Sequence, residues 1–242
     1  MPTFARPEFL ALALEKVAAA DNAPDDVRIF LDACSDGRLA EVEYARDTYL
    51  PTAEIFRAGN HIICPGGTWN ILNSLKQGYE TGAEYVFFIE EDVLIKPTFF
   101  NEHYRMQSEG DYFVTCGRNL RGRVDYYSNP GTCYRRDKLA QVIPHIDLKY
   151  FADQVSYLTR YFPHMDDAGI LDDGLIRRVM RSVDGKAKCA EPSIAVHQGF
   201  HYYNKFAEYK TQGTIQDRIA QLIVMLSRIS PTDRYAQDFE VF

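Results

Sequence analysis

Three consecutive acidic residues follow a short apolar run near the middle of the sequence. Residues 85–89, YVFFI, are typical of a buried β-strand, and Glu90, Glu91 and Asp92 come directly after it. In open α/β sheets, ligands bind beyond the carboxyl ends of the strands. Adjacent carboxylates repel one another unless a cation is present, and their oxygens suit hard ions such as Mg²⁺ or Mn²⁺. The segment therefore indicates a divalent metal site, and an acidic surface turn is the alternative.

A second pair of acids, Asp172 and Asp173, begins a segment that is predicted to be an apolar helix. Aspartate is favoured in the first turn of a helix, so capping alone explains the position of both residues. Two adjacent carboxylates can also raise the pKa of one of them toward neutrality, which suits a general base. His197 ends a short predicted strand, and it is either a structural histidine or a metal ligand.

The elements that must position these residues alternate between helix and strand in the first half of the chain. Apolar spacing predicts helices at residues 7–20, 40–49 and 68–81, and strands at 27–33, within 55–64 and at 85–89. Alternation with short connections favours an α/β fold with a largely parallel sheet. In the second half, the patterns predict strands at 111–118 and 193–197, a loop at 119–137, and helices at 150–161, 175–180 and 214–229.

Composition restricts the class of protein. The 242 residues include 27 Lys and Arg against 34 Asp and Glu, a formal net charge of -7, which argues against nonspecific nucleic-acid binding. The sequence has no apolar run of membrane-spanning length, and its first residues do not follow a signal-peptide pattern. We therefore expect a soluble cytoplasmic protein. The five cysteines contain no CxxC spacing and are expected to be reduced thiols.

The segment FIEEDVLIKPTFF, residues 88–100, resembles the DxD-type motif of GT-A glycosyltransferases. It is most similar to the Glu-Asp-Asp version in Golgi-type N-acetylglucosaminyltransferases, where an apolar pair, a proline and two phenylalanines also follow the acids. The resemblance implies that Asp92 binds the metal directly. It implies that Glu90 and Glu91 contact the ribose or metal-bound waters.

The same resemblance gives roles to the later motifs. The acid pair stands where these enzymes carry the catalytic base, the second acid of the pair, so Asp173 is the favoured base and Asp172 the second choice. His197 stands where a histidine or aspartate often completes the metal shell, and His201 is the weaker choice.

The opening PTFARPEFL resembles the loop and helix that follow the first strand in GT-A enzymes, which implies that Arg6 lies near the nucleotide. Because Met1 leaves little chain before this loop, the family's first strand is expected to be absent, supplied by a neighbour or lost to a late start. LDACSDG resembles the acidic loop that binds uracil and ribose, and both Asp32 and Asp36 are candidates.

GGTWNILNSL resembles the helix under the diphosphate, so Trp69 and Asn70 are candidate donor contacts, and a core aromatic is the alternative for Trp69. Residues 128–136 resemble the acceptor-side loop. The basic residues around it are candidates for binding the diphosphate, an anionic acceptor or a nucleic-acid backbone, or else are solvated loop charges: Arg118, Arg121, Arg123, Arg135, Arg136 and Lys138.

Together these patterns predict one GT-A-like domain with a nucleotide-sugar half (1–105), an acceptor half (106–206) and a helical extension (207–242). The resemblance implies a Mn²⁺- or Mg²⁺-dependent, inverting transfer of a sugar from a nucleoside diphosphate donor, UDP-linked, to a hydroxyl. The acceptor is a glycan, a protein, a small molecule or a hydroxymethylated base of phage-type DNA, and a bacterial or viral monomer or homodimer is expected. A non-catalytic carbohydrate- or nucleic-acid-binding module and a sugar-phosphate nucleotidyltransferase are the alternatives.

Overall fold

The computed structural model describes residues 1–4, 6–59, 67–119, 126–165, 169–198 and 213–227. The strands are, in chain order, β1 (Pro2–Thr3), β2 (Arg28–Leu31), β3 (Glu54–Arg57), β4 (Tyr85–Phe88), β5 (Val93–Ile95), β6 (Val114–Cys116), β7 (Thr132–Arg135), β8 (Ala187–Cys189) and β9 (Ala195–His197). The α-helices are α1 (Pro7–Ala18), α2 (Asp36–Tyr49), α3 (Thr68–Glu80), α4 (Phe99–Ser108), α5 (Arg136–Leu139), α6 (Leu148–Ala152), α7 (Gln154–Tyr161), α8 (Asp172–Ser182) and α9 (Ile215–Ser227). Parts of the predictions lie outside the described residues, among them 60–64, Arg121, Arg123, His201 and the segment 228–242.

The first three strands form a parallel sheet in the order β1-β2-β3, as the alternating pattern predicts. The expectation that the first strand has no room was wrong, because Pro2 and Thr3 themselves pair with Phe30 and Leu31 of β2. Two residues suffice to continue the ladder on that side of β2. The carboxyl ends of β1 and β2 therefore lie side by side.

The second sheet has the order β4-β7-β6-β8 and mixes directions. β7 is antiparallel to both β4 and β6, so β4 and β6 point the same way, and β8 is parallel to β6. The predicted loop at 119–137 was wrong in its last part, since it contains β7 and the first residues of α5. The four residues of β7 are too few to show a strand period beside a Pro-Gly turn and two arginines.

β5 and β9 form an antiparallel pair of their own, with Val93 opposite His197. This pair connects the acidic segment to a strand from the second half of the chain. The predicted helix at 150–161 is divided into α6 and α7 because the Asp153 side chain caps α7, its carboxylate accepting from the Ser156 amide at 3.0 Å.

Helix α9 packs along α1 and is held by a partly buried ion cluster. Arg218 Nη2 lies 2.7 Å from Glu41 Oε1, and Arg218 Nε lies 3.5 Å from Glu8 Oε2. Leu222 is fully buried in the same interface. Among the described residues, every helix is too short or too polar to cross a lipid bilayer.

Candidate active site

The acidic segment lies where β4 ends and the chain turns into β5. The Val93 amide donates to the Glu90 carbonyl at 3.1 Å, which closes a turn around Glu91 and Asp92. The β5–β9 pairing continues one residue further, because the Gln198 amide donates to the Asp92 carbonyl at 2.7 Å. This register brings His197 Nε2 to 3.3 Å from Asp92 Oδ1.

Glu90, Asp92 and His197 form a cluster that fits a divalent cation. One ligand atom from each lies within 4.8 Å of the others. Asp92 is 2% exposed, and its Oδ1 atom faces the imidazole of His197 at 3.3 Å. A buried carboxylate is costly unless a positive charge compensates it, which a cation bound between Asp92 and His197 would supply. The two carboxylates suit Mn²⁺ or Mg²⁺, and the imidazole favours Mn²⁺ of the two, since Mg²⁺ takes oxygen ligands.

The pKa values in this cluster follow from burial and from the positive charges of His197 and Arg6. Burial raises the pKa of Glu90 to about 8. Burial also acts to raise the pKa of Asp92, but the His197 and Arg6 charges outweigh it and hold that pKa well below its usual range. Burial acts to lower the pKa of His197, yet the Asp92 carboxylate raises it overall. A bound divalent cation would take the place of the proton on His197, since only neutral imidazole is a ligand.

Glu91 has a different role from that of its two neighbours. It is fully buried, and its Oε2 atom accepts from the Thr3 hydroxyl and from the Phe4 amide at 3.0 Å. Arg6 Nε lies 2.5 Å from Glu91 Oε1, while Arg6 Nη2 lies 3.0 Å from Asp92 Oδ2. The expected contact of Glu91 with ribose or metal-bound waters is not the arrangement found, because protein donors surround this carboxylate. Arg6 bridges both acids and ties them to the end of β1.

Asp32 and Asp36 are separated by the structure. Asp32 is 8% exposed at the carboxyl end of β2, where its backbone N–H donates to the Thr3 carbonyl and its Oδ1 accepts from the Ala33 amide at 2.8 Å. The Asp36 side chain is 94% exposed in the first turn of α2 and pairs with Arg57 at 3.0 Å. Asp32 therefore lies at the edge that carries the acidic cluster, and Asp36 lies on the surface.

Near the start of α3, the Asn70 side chain binds the backbone of β1 and β2. The Asn70 amide donates to the Thr3 carbonyl at 3.1 Å and to the Phe30 carbonyl at 2.9 Å. Trp69 packs edge-on against Phe151, with ring centroids 4.7 Å apart. Its surroundings fit a core aromatic residue better than a donor contact. The Phe4 ring lies so close to Gly67 that a Cβ there would clash with it.

The acid pair at the start of α8 is divided between the interior and the surface. Asp172 is 6% exposed, and burial, followed by the charge of Asp173, raises its pKa to about 7. Its Oδ1 accepts from the Thr68 hydroxyl at 3.2 Å and its Oδ2 from the Asn129 amide at 3.0 Å. The Asp173 side chain is 42% exposed and lies 3.4 Å from Arg177 Nη2.

Sequence reasoning missed three polar residues that hold the acids. Thr3, Thr68 and Asn129 are all buried and donate to Glu91 or Asp172. Thr3 ends β1, Thr68 begins α3 and Asn129 lies in the turn before β7. None of them carries a charge, so the local sequence gives no signal of these contacts.

Comparison with solved structures supports the fold. Neither a protein-family model nor a curated protein matches the chain. A crystal structure of residues 1–349 of TarS from S. aureus superposes with a TM-score of 0.52 at 15% identity, covering 96% of this chain and 72% of that one. The TarS complex with UDP-GlcNAc gives 0.51 at 16%, covering 94% and 65%, and the complex with UDP gives 0.50 at 17%, covering 92% and 64%.

The chain thus spans just under two thirds of the TarS chain in the two complexes. At such low identity, the likeness concerns the fold. The α/β architecture with a parallel sheet flanked by helices, and the acidic segment following β4, match the prediction made from the FIEEDVLIKPTFF motif. The chain has the fold of GT-A glycosyltransferases.

Proposed function

We propose that the protein is a metal-dependent glycosyltransferase that moves a sugar from a UDP-linked donor to an acceptor hydroxyl. The observation that carries the proposal is the Glu90–Asp92–His197 cluster at the strand ends of a GT-A fold. Ligand sites in open α/β sheets lie at this edge. The relatives by fold include TarS in complex with UDP-GlcNAc, which supports a donor of this chemical class.

Glu90, Asp92 and His197 would hold the cation. When bound, a divalent cation supplies positive charge to the diphosphate oxygens and so favours departure of the nucleotide. Arg6 keeps Asp92 in place from the side opposite His197, because its guanidinium binds Oδ2 while the imidazole faces Oδ1. Asp32, buried beside the end of β1, would accept from the uracil N–H or a ribose hydroxyl.

Asp173 would act as the catalytic base, with Asp172 as the alternative. In this step, the Asp173 carboxylate takes the proton of the acceptor hydroxyl while the acceptor oxygen forms a bond to the anomeric carbon of the sugar. The bond from that carbon to the diphosphate oxygen breaks, and its electron pair leaves with UDP. A single displacement of this kind inverts the anomeric configuration. The partial exposure of Asp173 supports access of an acceptor to it.

The acceptor is defined only as a hydroxyl compound. Several described cations of the acceptor-side region have acidic or aromatic neighbours. Arg135 Nη2 lies 2.7 Å from Asp137, Lys138 Nζ lies 2.7 Å from Asp111, and Arg136 lies over the Tyr79 ring. These pairings lend no support to a nucleic-acid backbone contact at those residues, so modified DNA is not part of the proposal.

The test is thermal unfolding with UDP, UDP-GlcNAc and a panel of other nucleotides and nucleotide sugars, each with and without Mn²⁺. A ligand at about 100 times its Kd stabilises by about 2.7 kcal/mol, which raises the Tm of a chain this long by several degrees. We expect a rise with UDP ligands that needs Mn²⁺ and is lost in Asp92→Asn. Asp47→Asn, an exposed acid on α2, is the matched control. If no nucleotide gives a metal-dependent rise, the proposal is wrong.

A further inference from the structure

The two acids of the 172–173 pair have environments that suit different roles. Both carboxylate oxygens of Asp172 receive a hydrogen bond from a buried side chain, Thr68 on one side and Asn129 on the other. Asp173, one residue later, turns to the surface beside Arg177. A proton acceptor must reach the acceptor hydroxyl, and Asp173 is far more accessible than Asp172.

The hydrogen bonds around Asp172 continue into the second sheet. The Tyr127 hydroxyl donates to Asn129 Oδ1 at 2.7 Å and lies 3.0 Å from the Tyr134 hydroxyl on β7. The Asn129 side-chain oxygen accepts from Tyr127, and the Asn129 NH₂ group is therefore directed at Asp172. The whole set is buried, so each lost partner would leave a polar group unsatisfied.

This set connects three parts of the fold at one carboxylate. Thr68 is the first residue of α3, Asp172 is the first residue of α8, and Asn129 precedes β7. The N-termini of both helices thus meet at Asp172, through the Thr68 hydroxyl on the side of α3. The first turn of α8 carries Asp173. The contact between Thr68 and Asp172 holds this turn against α3.

Building on the proposed function, we propose that Asp172 is a positioning residue that fixes Asp173 toward the acceptor and takes no part in proton transfer itself. Arg177 completes the support, since its Nη2 atom donates to the Tyr127 carbonyl at 3.3 Å and its guanidinium lies 4.8 Å from the Tyr126 ring centroid. Tyr127 therefore contacts both supports, Asn129 through its hydroxyl and Arg177 through its carbonyl.

The test separates position from chemistry with two substitutions at one site. In Asp172→Asn, the amide oxygen still accepts from Asn129 and the amide nitrogen can donate to Thr68, whose hydroxyl can reverse its role. We expect this variant to retain a kcat within about threefold of the wild type. Asp172→Ala, which leaves Thr68 and Asn129 unpaired, should lose about 100-fold in kcat with little change in donor KM, as expected for misplacement.

The assay is UDP release from UDP-GlcNAc with Mn²⁺, with water as acceptor, at a temperature where circular dichroism shows every variant folded. Asp173→Asn should be nearly inactive, and Asp153→Asn, a capping aspartate on α7, is the matched control. If folded Asp172→Asn is as inactive as Asp173→Asn, Asp172 takes the proton and the inference is overturned. If the wild type releases no UDP from any nucleotide sugar, the proposed function itself fails.

A stability measurement tests the connection independently of activity. Asn129→Asp places two buried carboxylates face to face and should lower the Tm strongly. Adding Asp172→Asn restores one donor and one acceptor at that contact, so the double variant should recover most of the loss. Additive losses in the double variant would contradict the contact on which the inference rests.

Discussion

The imidazole of His197 lies 3.3 Å from the carboxylate of Asp92, although one residue follows β4 and the other ends β9. The short antiparallel pairing of β5 with β9 produces this approach, because it sets Val93 directly opposite His197. Two segments from opposite halves of the chain thus contribute to one cluster. Metal binding at this cluster should therefore depend on His197 as well as on the acids.

His197→Gln should weaken Mn²⁺ binding by about 10- to 100-fold, since it replaces a nitrogen ligand with a weaker amide oxygen. Isothermal titration calorimetry with MnCl₂ measures the change directly. His145→Gln is the matched control, because His145 contacts the Tyr157 hydroxyl and is remote in sequence from the cluster. Equal Mn²⁺ affinity in His197→Gln and the wild type would remove His197 from the metal site.

Arg6 should be important for stability as well as for the site. Its guanidinium bridges Glu91, which is fully buried, and Asp92, which is nearly so. Removing one partner of a buried ion pair leaves an uncompensated charge, so Arg6→Gln should lower the free energy of unfolding by about 3 kcal/mol. Arg6→Lys should lose less, but it cannot bridge two carboxylates with a planar fork.

Urea denaturation without divalent cations measures these losses. Arg135→Gln serves as the control, because Arg135 pairs with Asp137 at the surface and such pairs contribute less than about 1 kcal/mol. A loss in Arg6→Gln no larger than that in Arg135→Gln would show that Arg6 does not hold the acidic segment.

The parts of the site that the sequence predicts are those marked by local patterns. Tyr85–Phe88 is a short β-rich run, and three acids at its end are visible without knowledge of the fold. His197 ends a second such run, and the acid pair at 172–173 begins an amphipathic helix. The roles predicted for these residues come from the resemblance to GT-A glycosyltransferases, in which the motifs follow the same order.

The remaining contacts depend on which distant segments the fold brings together. Glu91 was expected to face the ligand, and only the insertion of β1 beside β2 brings Thr3 and Arg6 to it. Asn129 lies in a Pro-Gly turn whose position is set by β7, a strand too short to predict. Neighbouring positions such as 90 and 91 therefore cannot be given separate roles from residue type alone.

The raised pKa of Asp172 predicts a pH dependence of stability. Burial, followed by the charge of Asp173, raises the pKa of folded Asp172 from 3.8 to about 7. Between these values, the folded carboxyl retains its proton while the unfolded one has lost it, so stability falls as pH rises. The slope contributed by this group is about 1.4 kcal/mol per pH unit. Asp172→Asn has no such proton and should lack this contribution.

The measurement is the free energy of unfolding by urea at pH 5, 6, 7 and 8, for the wild type and for Asp172→Asn. The difference between the two proteins isolates Asp172 from the other titrating groups. We expect the wild type to lose stability relative to Asp172→Asn up to about pH 7 and to follow it in parallel above that pH. A difference that is constant from pH 5 to 8 would contradict the buried, protonated state of Asp172.

Asp32 and Asp36, which the sequence could not separate, should differ in nucleotide binding. Asp32 lies buried at the end of β2 next to the carboxyl end of β1, whereas Asp36 points to solvent and pairs with Arg57. A hydrogen bond between a charged group and a ligand contributes about 1.5–3 kcal/mol, so Asp32→Asn should weaken UDP binding about 10-fold or more in the presence of Mn²⁺. Asp36→Asn is the matched change in the first turn of α2 and should leave the Kd within about twofold, since its carboxylate is exposed. Calorimetric titration with UDP distinguishes the two, and equal losses in both variants would mean that residues 32–36 act through their net charge, with no specific contact from Asp32.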